Sequence, residues 1–479
     1  MAQQYRTPGV YVEEKSLLPP SVAGVATAVP AFIGYTEKMP VNPVQKVTSL
    51  IEFESIFGKG KEFSIEDGKL KGQEFALYDS VRLYFDNGGG VCFIVSLGAY
   101  PSDPSSIDAT AYKTGLNEVA QLPEVTLIAF PDAATLLSAS DLKAVQDAAL
   151  EQCASLVGRF SILDVQMGTY AASTTPTQII DKDMEEFRKI SMNNLCYGAA
   201  YYPYLKSSYP KDIPFKIVVE ALGGVFEKGQ DEGDPNADDK ALADAVAVAK
   251  QDQDEPATKV KVKAAIANLD EKDNRYSAKL AELKESACII PPSGAVAGIY
   301  VSIDSKVGVW QAPANVGVAG AKDLAIQVND NQQASMNVDE TAGKSVNAIR
   351  YFKGKGILVW GGRTLDGSSN EWRFVPVRRL FSYVEQSVKL ATNWVVFQPN
   401  DSNTWIKVKC QISNFLSSLW RSGALAGGST DEAYFVQVGK DITMTEADIN
   451  EGYLRVRIGL AAVRPAEFIV LEFMHKVQE

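Results

Sequence analysis

The chain has 479 residues and a formal net charge of −12, so it is too long for one hydrophobic core and poorly suited to bind a phosphate backbone. No stretch reaches the ~20 uncharged apolar residues of a membrane span, and the first residues lack the pattern of a signal peptide. The five cysteines are far apart, and the single histidine, His475, lies near the end of the chain. Zinc sites, disulfide frameworks and histidine-dependent catalysis are therefore not indicated, and we expect a soluble protein of about three domains, made in the cytoplasm.

The first hundred residues begin with an isolated strand candidate. Gly9 to Glu14 forms a short strand pattern that nothing nearby in the sequence can cover, so it should pair at a distance or across subunits. Buried strands are predicted at 31–35 and 91–97, because both are apolar runs. Residues 75–85 have apolar side chains at helical spacing, and three glycines at 88–90 end this helix.

The middle of the chain alternates strands with helices. Apolar strands are predicted at 125–130, 160–165 and 197–202, and helices with one apolar face at 142–157 and 184–195. This order implies parallel strand pairing and a small α/β domain. Residues 206–285 interrupt the pattern with prolines and an acidic stretch, which predicts an exposed, loosely packed insertion. The domain resumes at 289, with a helix over 294–307.

The last part of the chain, from about Asn347, predicts a third domain. A strand is expected at 356–365, helices at 377–395 and 405–419, and strands at 434–438 and 454–460. The helix at 405–419 has an apolar face and, opposite it, a basic and polar stripe. After Pro465, a final run from Glu467 to Phe473 has no chain left to pair with. It needs a partner from elsewhere.

Charge is distributed unevenly along the sequence. Residues 227–255 contain ten Asp or Glu against three Lys or Arg, whereas residues 350–421 contain eleven Lys or Arg against four Asp or Glu. Two ordinary solvated faces would explain this asymmetry. The alternative is that the basic region faces an acidic partner.

One motif invites a catalytic interpretation. Residues 342–345, Ala-Gly-Lys-Ser, match the end of a phosphate-binding loop, but Val338 stands where that motif needs glycine and no buried strand precedes it. A loop or a helix start is the simpler interpretation. A nucleotide-binding α/β enzyme remains open as an alternative function, as does a self-assembling surface or capsid-like protein.

Several stretches together resemble the contractile tail sheath family of bacteriophage tails, phage-tail-like bacteriocins and extracellular contractile injection systems. They are TPGVYVEE, VPAFIGYTEK, YDSVRLYFDNGGG, LIAFPDA, VGVWQAPAN, YFKGKGILVWGGRTL, WRFVPVRRL and YLRVRIGLAAVRPAEFIVLEF, in order from Thr7 to Phe473. The resemblance implies an α/β and α+β multidomain fold. It comprises an arm (1–20), a β-rich N-terminal domain (21–100), a parallel α/β middle domain (101–346) with a variable outer insertion (206–288), an α+β C-terminal sheath domain (347–462) and a second arm (463–479).

The resemblance also implies the function. Such subunits stack as hexameric rings in a helix around an inner tube protein, meet baseplate and cap proteins, and contract to drive the tube through a target envelope. They do so without catalysis, cofactor, nucleic acid or membrane insertion, as part of a phage tail or tail-like particle assembled in the bacterial cytoplasm. Their terminal arms add strands to a neighbour's sheet. The strand-donating residues here would be Gly9, Val10, Tyr11, Val12, Glu13, Glu14, Glu467, Phe468, Ile469, Val470, Leu471, Glu472 and Phe473. The residues expected to face an acidic tube are Lys407, Lys409 and Arg421.

Overall fold

The computed structural model describes residues 22–66, 69–156, 158–168, 170–171, 173–189, 192–223, 240–251, 255–271, 274–338 and 343–467. These residues form two compact units. The larger unit comprises residues 26–382 and 464–467, and the smaller unit comprises residues 22–25 and 383–463. The two units are described separately below.

The strands of the larger unit fall into one large sheet and two small ones. In chain order they are β1 (Pro30–Thr36), β2 (Val44–Val47), β3 (Ser64–Glu66), β4 (Lys69–Lys71), β5 (Cys92–Ala99), β6 (Leu127–Ala129), β7 (Phe160–Asp164), β8 (Gly198–Tyr202), β9 (Leu205–Ser207), β10 (Ile289–Ile290), β11 (Val316–Gly317), β12 (Ala321–Leu324), β13 (Val346–Phe352) and β14 (Gly356–Val359).

The helices of the same unit cover the large sheet and build the insertion. They are α1 (Leu50–Phe57), α2 (Leu77–Asp86), α3 (Ala109–Ala120), α4 (Ala133–Leu136), α5 (Ala139–Ser155), α6 (Pro176–Lys189), α7 (Phe215–Ala221), α8 (Lys240–Ala249), α9 (Pro256–Asp270), α10 (Arg275–Ala287), α11 (Ser293–Lys306), α12 (Asp330–Asn337) and α13 (Val375–Ala391), the last of which continues into the smaller unit. Short 3₁₀ turns occur at Pro104–Ser106, Leu195–Tyr197 and Asn393–Val395.

The large sheet has nine strands in the order β11-β14-β13-β8-β7-β6-β1-β5-β2. The six strands from β13 to β5 are all parallel, and antiparallel strands flank them at both edges. All seven residues of β1 are buried, which explains why this strand is an uninterrupted apolar run. The mixed α/β class predicted from the sequence is confirmed at this level.

Two hydrophobic cores lie on opposite faces of the large sheet. On β1, Ile33 belongs to one core and Phe32 to the other, and on β8, Tyr202 and Tyr201 divide in the same way. This alternation follows from the period-two geometry of strands. Helices α3, α5 and α6 contribute to the first core, and α1, α2 and α11 to the second.

Helices α2 and α11 approach each other closely because glycines occupy their contact. A Cβ atom on Gly294 would lie 2.2 Å from the backbone oxygen of Ser80, and one on Gly298 would lie 2.4 Å from that of Tyr84. No side chain fits at either position without moving a helix backbone. The pair therefore acts as one packed layer on its face of the sheet.

The insertion is better packed than the sequence suggested. In the described parts of residues 206–288, helices α7 to α10 share an apolar core of their own, to which Leu70 of the β3–β4 hairpin also contributes. The Ala-rich stretch around α8 supplies buried Leu242, Ala245 and Val246. Small apolar side chains at helical spacing suffice to close a helical cluster, so the expectation of a loosely packed decoration is corrected.

The smaller unit is built around one long helix and a two-stranded sheet. Its elements after α13 are α14 (Ser402–Arg421), α15 (Thr430–Ala433), β15 (Tyr434–Val438), α16 (Glu446–Asn450) and β16 (Val456–Leu460). Strands β15 and β16 pair in antiparallel fashion, and the Tyr434 hydroxyl donates to the backbone oxygen of Ser413 in α14 at 3.1 Å. The sheet thus packs on this helix.

The compact units do not follow the expected domain boundaries. Strands β1 and β5 lie before residue 101 and β13 begins at Val346, yet all three belong to the same sheet as β6, β7 and β8. The boundary within the C-terminal region falls at 382/383, inside α13. Apolar runs predicted β1 and β5, whereas β13 was missed, since a strand was expected only at 356–365. The partners of all three strands are distant in sequence and could not be assigned from the pattern.

Candidate interaction surfaces

Helix α14 carries the basic stripe expected from the sequence. Asp401 caps its N-terminus by accepting from the Thr404 backbone N–H at 2.9 Å, and this hydrogen bond holds the Asp401 pKa below its ordinary value. One face of the helix is buried, with Val408, Ile412, Phe415, Leu416 and Leu419, and the opposite face is exposed, with Lys407, Cys410, Asn414, Ser418 and Arg421. We call this second set the α14 stripe.

The three residues expected to face a tube do not all lie on that stripe. Lys407, Lys409 and Arg421 are all exposed. At ~100° per residue, Lys407 and Arg421 differ by about 40° around the helix and by about 21 Å along it. Lys409 is rotated by about 200° from Lys407. The structure therefore places Lys407 and Arg421 together, with Cys410 between them, and Lys409 on another side.

The two-stranded sheet leaves apolar side chains half covered. Tyr434, Val436 and Val438 of β15 lie opposite Leu460, Ile458 and Val456 of β16 in register, and only Val436 of these six is buried. Phe435, on the other face, covers Gly459, where a Cβ atom would lie 2.1 Å from its ring. A two-stranded sheet is marginal alone, so further strands at its edges would complete the cover.

Exposed apolar side chains concentrate in the smaller unit. Phe397, in the loop between α13 and α14, is fully exposed and has a φ of 67°, a region in which aromatic residues are uncommon. Although this unit is much the smaller, it holds seven of the sixteen large apolar side chains exposed in the described chain: Leu390, Val396, Phe397, Ile406, Phe435, Ile442 and Tyr453. Such a concentration is typical of a surface that contacts another protein.

The chain segments next to the two predicted arms are held differently. In the smaller unit, the Val25 backbone N–H donates to the Ser387 hydroxyl at 3.3 Å, and the absence of a side chain on Gly24 lets the chain lie against Tyr383. In the larger unit, the Glu467 carboxylate pairs with the guanidinium of Arg363. Gly9–Glu14 and Phe468–Phe473 lie outside the described residues.

The carboxyl ends of the parallel strands, where α/β folds bind ligands, hold two buried aspartates. Asp132, after β6, accepts from the backbone N–H groups of Tyr35 at 2.8 Å and of Leu77, the first residue of α2, at 2.6 Å. Asp164, the last residue of β7, accepts from the N–H of Ser293, the first residue of α11, at 2.8 Å. The N-termini of α2 and α11 are thus each occupied by a carboxylate of the chain itself.

Comparisons with known proteins assign the chain. Residues 368–475 match the model of the phage tail sheath C-terminal domain. The fold matches a chain of the PVC sheath complex, from an extracellular contractile injection system in its contracted state, with 30% sequence identity over 99% of both chains and a TM-score of 0.65. This chain belongs to the contractile sheath family.

Two further comparisons agree with this assignment. The fold also matches a chain of the helical sheath of the anti-feeding prophage in its contracted state, with a TM-score of 0.61. The two sequences are 27% identical, and the match covers 98% of the present chain and 100% of the prophage chain. The tail sheath protein of Vibrio phage KVP40 is 23% identical over 156 residues, which span 32% of this chain and 22% of the phage protein. The resemblance found in the sequence motifs is confirmed, and the protein is a structural subunit of a contractile sheath.

The alternative nucleotide-binding interpretation has no structural support in this sheath subunit. Lys344 and Ser345 lead into strand β13, whereas a phosphate-binding loop opens a helix. In the part of the chain that the structure describes, no group of acidic, cysteine or histidine side chains could hold a metal, and no helix is long and apolar enough to cross a bilayer.

The structural roles of several residues in the sheath subunit were not predicted from the sequence. Asp132 lies within LIAFPDA, one of the stretches that resemble the sheath family. No role was predicted for the Asp132 carboxylate. Asp164 is the last residue of β7 and Asp132 lies three residues after β6, so an acidic residue at or just beyond the end of a buried strand was the available signal for both. Cys410 is the exposed one of the five cysteines, because its position falls on the α14 stripe.

The two buried aspartates predict a pH dependence of subunit stability. Burial raises the pKa of both carboxyl groups to about 7, although the backbone N–H donors oppose this shift. A folded-state pKa above the unfolded value means that protonation favours the folded state. The free energy of unfolding should therefore decrease as the pH rises from about 4 to about 7, by a few kcal/mol at most for each carboxyl.

Urea denaturation of purified subunits between pH 4 and pH 8 measures this dependence. Asp132→Asn and Asp164→Asn keep the size of the side chain but do not titrate, so each should flatten the decrease in stability. Parent and variant curves with the same pH slope would contradict the prediction.

Proposed function

We propose that this chain polymerises as a helical stack of hexameric rings around an inner tube, and that contraction of the stack drives the tube through a target envelope. The relatives support the proposal, since the matched PVC and anti-feeding prophage sheaths are in contracted assemblies and another match is a chain of the anti-feeding prophage baseplate. Assembly would take place in the bacterial cytoplasm, with baseplate and cap proteins at the two ends. The chain would do this without catalysis.

The incompletely covered sheet β15–β16 carries the part of the proposal that concerns assembly. Three apolar residues of β16, Val456, Ile458 and Leu460, remain half exposed. Strands from neighbouring subunits would cover them and satisfy backbone groups at the sheet edge. The donated segments would be Gly9–Glu14 and Glu467–Phe473. One arm with ~4–6 added hydrogen bonds contributes only a few kcal/mol, so repetition along the lattice holds the sheath.

The α14 stripe supports contact with the tube in the extended state. It presents two cations, Lys407 and Arg421, about 21 Å apart on one exposed face, and no acidic side chain lies between them on that face. This arrangement fits an elongated acidic surface. Lys409 points elsewhere around the helix, so we no longer assign it to this contact.

Cys410 offers a direct test, because it lies on the stripe and is the exposed cysteine. Burial raises the pKa of the Cys153 thiol to about 12 and raises that of Cys92 further, which keeps both unreactive. A maleimide reagent should modify Cys410 in free subunits and at least about tenfold more slowly in extended sheaths on tubes. Contracted sheaths should regain the reactivity.

Labelling sites are identified by mass spectrometry of peptides after a timed exposure. The Cys410→Ser variant is the negative control. The double variant Cys410→Ser, Lys409→Cys moves the thiol off the stripe, so the labelling rate of its thiol should fall less on assembly. Equal labelling of free subunits and extended sheaths at Cys410 would refute the contact between the stripe and the tube.

A further inference from the structure

Arg363 occupies a rigid and almost completely buried position in the larger unit. Its side chain is 4% exposed. The side-chain amide of Asn347 holds the backbone of this residue from both sides: it accepts from the Arg363 N–H at 2.8 Å and donates to the Arg363 carbonyl oxygen at 2.8 Å. On the neighbouring residues, the Thr364 N–H donates to the Arg373 carbonyl at 2.8 Å and the Val375 N–H to the Gly362 carbonyl at 3.0 Å. The backbone that carries the guanidinium is therefore held in place by hydrogen bonds on both sides.

The guanidinium of Arg363 binds the carboxylate of Glu467, which lies near the start of the predicted C-terminal arm. Arg363 Nε donates to both carboxylate oxygens of Glu467, at 3.0 and 3.1 Å, and Nη2 donates to Oε2. Nη1 donates to the backbone oxygen of Asn337 at 3.2 Å. This is a two-pronged contact of the kind that gives Arg–carboxylate pairs their directional specificity.

The burial of the pair decides which partner can leave. If Glu467 departed, the buried guanidinium of Arg363 would keep, among the described residues, only the backbone oxygen of Asn337 as an acceptor, which is strongly unfavourable. The Glu467 side chain is 21% exposed, so solvent can reach it, whereas the Arg363 side chain is 4% exposed and its backbone is held by hydrogen bonds. The contact thus favours retention of Glu467 by its own subunit.

We propose that Arg363 anchors the C-terminal arm in its own subunit and fixes the point from which the arm departs. This proposal rests on strand donation by the arm, as put forward above. Glu467, first assigned to the donated strand, then stays with the subunit that made it, and the donated segment begins at Phe468. Arg363 is a positioning residue, because it acts on the neighbour only through the arm that it holds.

The Glu467→Gln variant removes the charge and keeps the shape of the side chain. Hydrogen exchange of free subunits should become at least about tenfold faster in the peptide around 464–467, with unchanged exchange in α14. Sheath yield, counted by negative-stain electron microscopy, should fall several-fold. Unchanged exchange and unchanged yield would overturn the proposal.

A charge swap separates anchoring within one subunit from pairing between subunits. Arg363→Glu and Glu467→Arg should each impair assembly, and the double variant in one chain should restore part of it. A mixture of the two single variants should not assemble, because no chain in it holds a complementary pair. Assembly of the mixture would show that the pair forms between neighbours, and failure of the double variant to improve on the single ones would count against a direct pair.

A truncation keeps this test distinct from the proposed function. A chain that ends at Glu467 retains the anchor but has no segment to donate. If it assembles normally, strand donation by the C-terminal arm is wrong, whatever the Glu467→Gln result. If it fails to assemble while Glu467→Gln behaves as the parent, donation stands and the anchor is wrong.

Discussion

Subunits that lack residues 2–14 are expected to fold as the parent does and to form no sheath. The deletion removes the proposed N-terminal strand and leaves the described residues 22–467 unchanged in sequence. Each copy would lose ~4–6 backbone hydrogen bonds to a neighbour, each of about 0.5–1.5 kcal/mol net, and the loss recurs at every lattice position. Sedimentation velocity should then show only small species, with a far-ultraviolet circular dichroism spectrum like that of the parent.

A matched pair of variants tests whether the backbone of this arm makes the contact. Prolines at Val10 and Val12 remove two N–H donors and should abolish assembly, whereas alanines at the same positions keep the donors and should weaken it less. Normal polymers from the deletion variant would refute strand donation by the N-terminal arm. Equal effects of proline and alanine would show that side chains carry the contact.

Reversal of both charges on the α14 stripe is expected to prevent extended assembly on tubes. Lys407→Glu with Arg421→Glu replaces two cations by anions on one face of α14, which would oppose an acidic partner along about 21 Å of helix. Yield of tube-bound extended sheath, counted in electron micrographs at low salt, should fall at least about tenfold. Increasing salt should weaken assembly of the parent by screening the same contact.

Lys409→Glu is the control for this experiment. It introduces the same charge change as Lys407→Glu two residues away, at a position rotated by about 200° from the stripe. Lys407→Glu should therefore reduce the yield more than Lys409→Glu. Parent-like yield from the double reversal would refute the tube contact, and equal losses at 407 and 409 would attribute the effect to net charge alone.

The two units of the subunit differ in how much of their surface is suited to contacts with other proteins. The larger unit is an α/β layer structure in which carboxylates of the chain itself occupy the N-termini of α2 and α11, and glycines let these two helices pack closely. The smaller unit has the half-covered sheet, the basic stripe and seven of the sixteen large apolar side chains exposed among the described residues. Contacts with other proteins are therefore expected mainly from the smaller unit and from the arms.

Local patterns in the sequence predicted many elements and the family. The apolar run at 434–438 coincides with β15, and the helices expected at 294–307 and 405–419 correspond to α11 and α14. Period-two and period-3.6 patterns succeed here because each element buries one face or both, and burial requires apolar residues at those spacings. The helix expected at 184–195 is less accurate, since α6 ends at Lys189.

The sequence by itself determined where most elements lie, the family, and the common stripe of Lys407 and Arg421, because each of these depends on residues close together in the chain or on motif order. Only the tertiary structure decided that β1, β8 and β13 share one sheet, that Asp132 and Asp164 cap α2 and α11, and that Arg363 binds Glu467, 104 positions away. Those contacts join residues far apart in sequence. Their geometry depends on how the whole chain folds back, and no local periodicity encodes it.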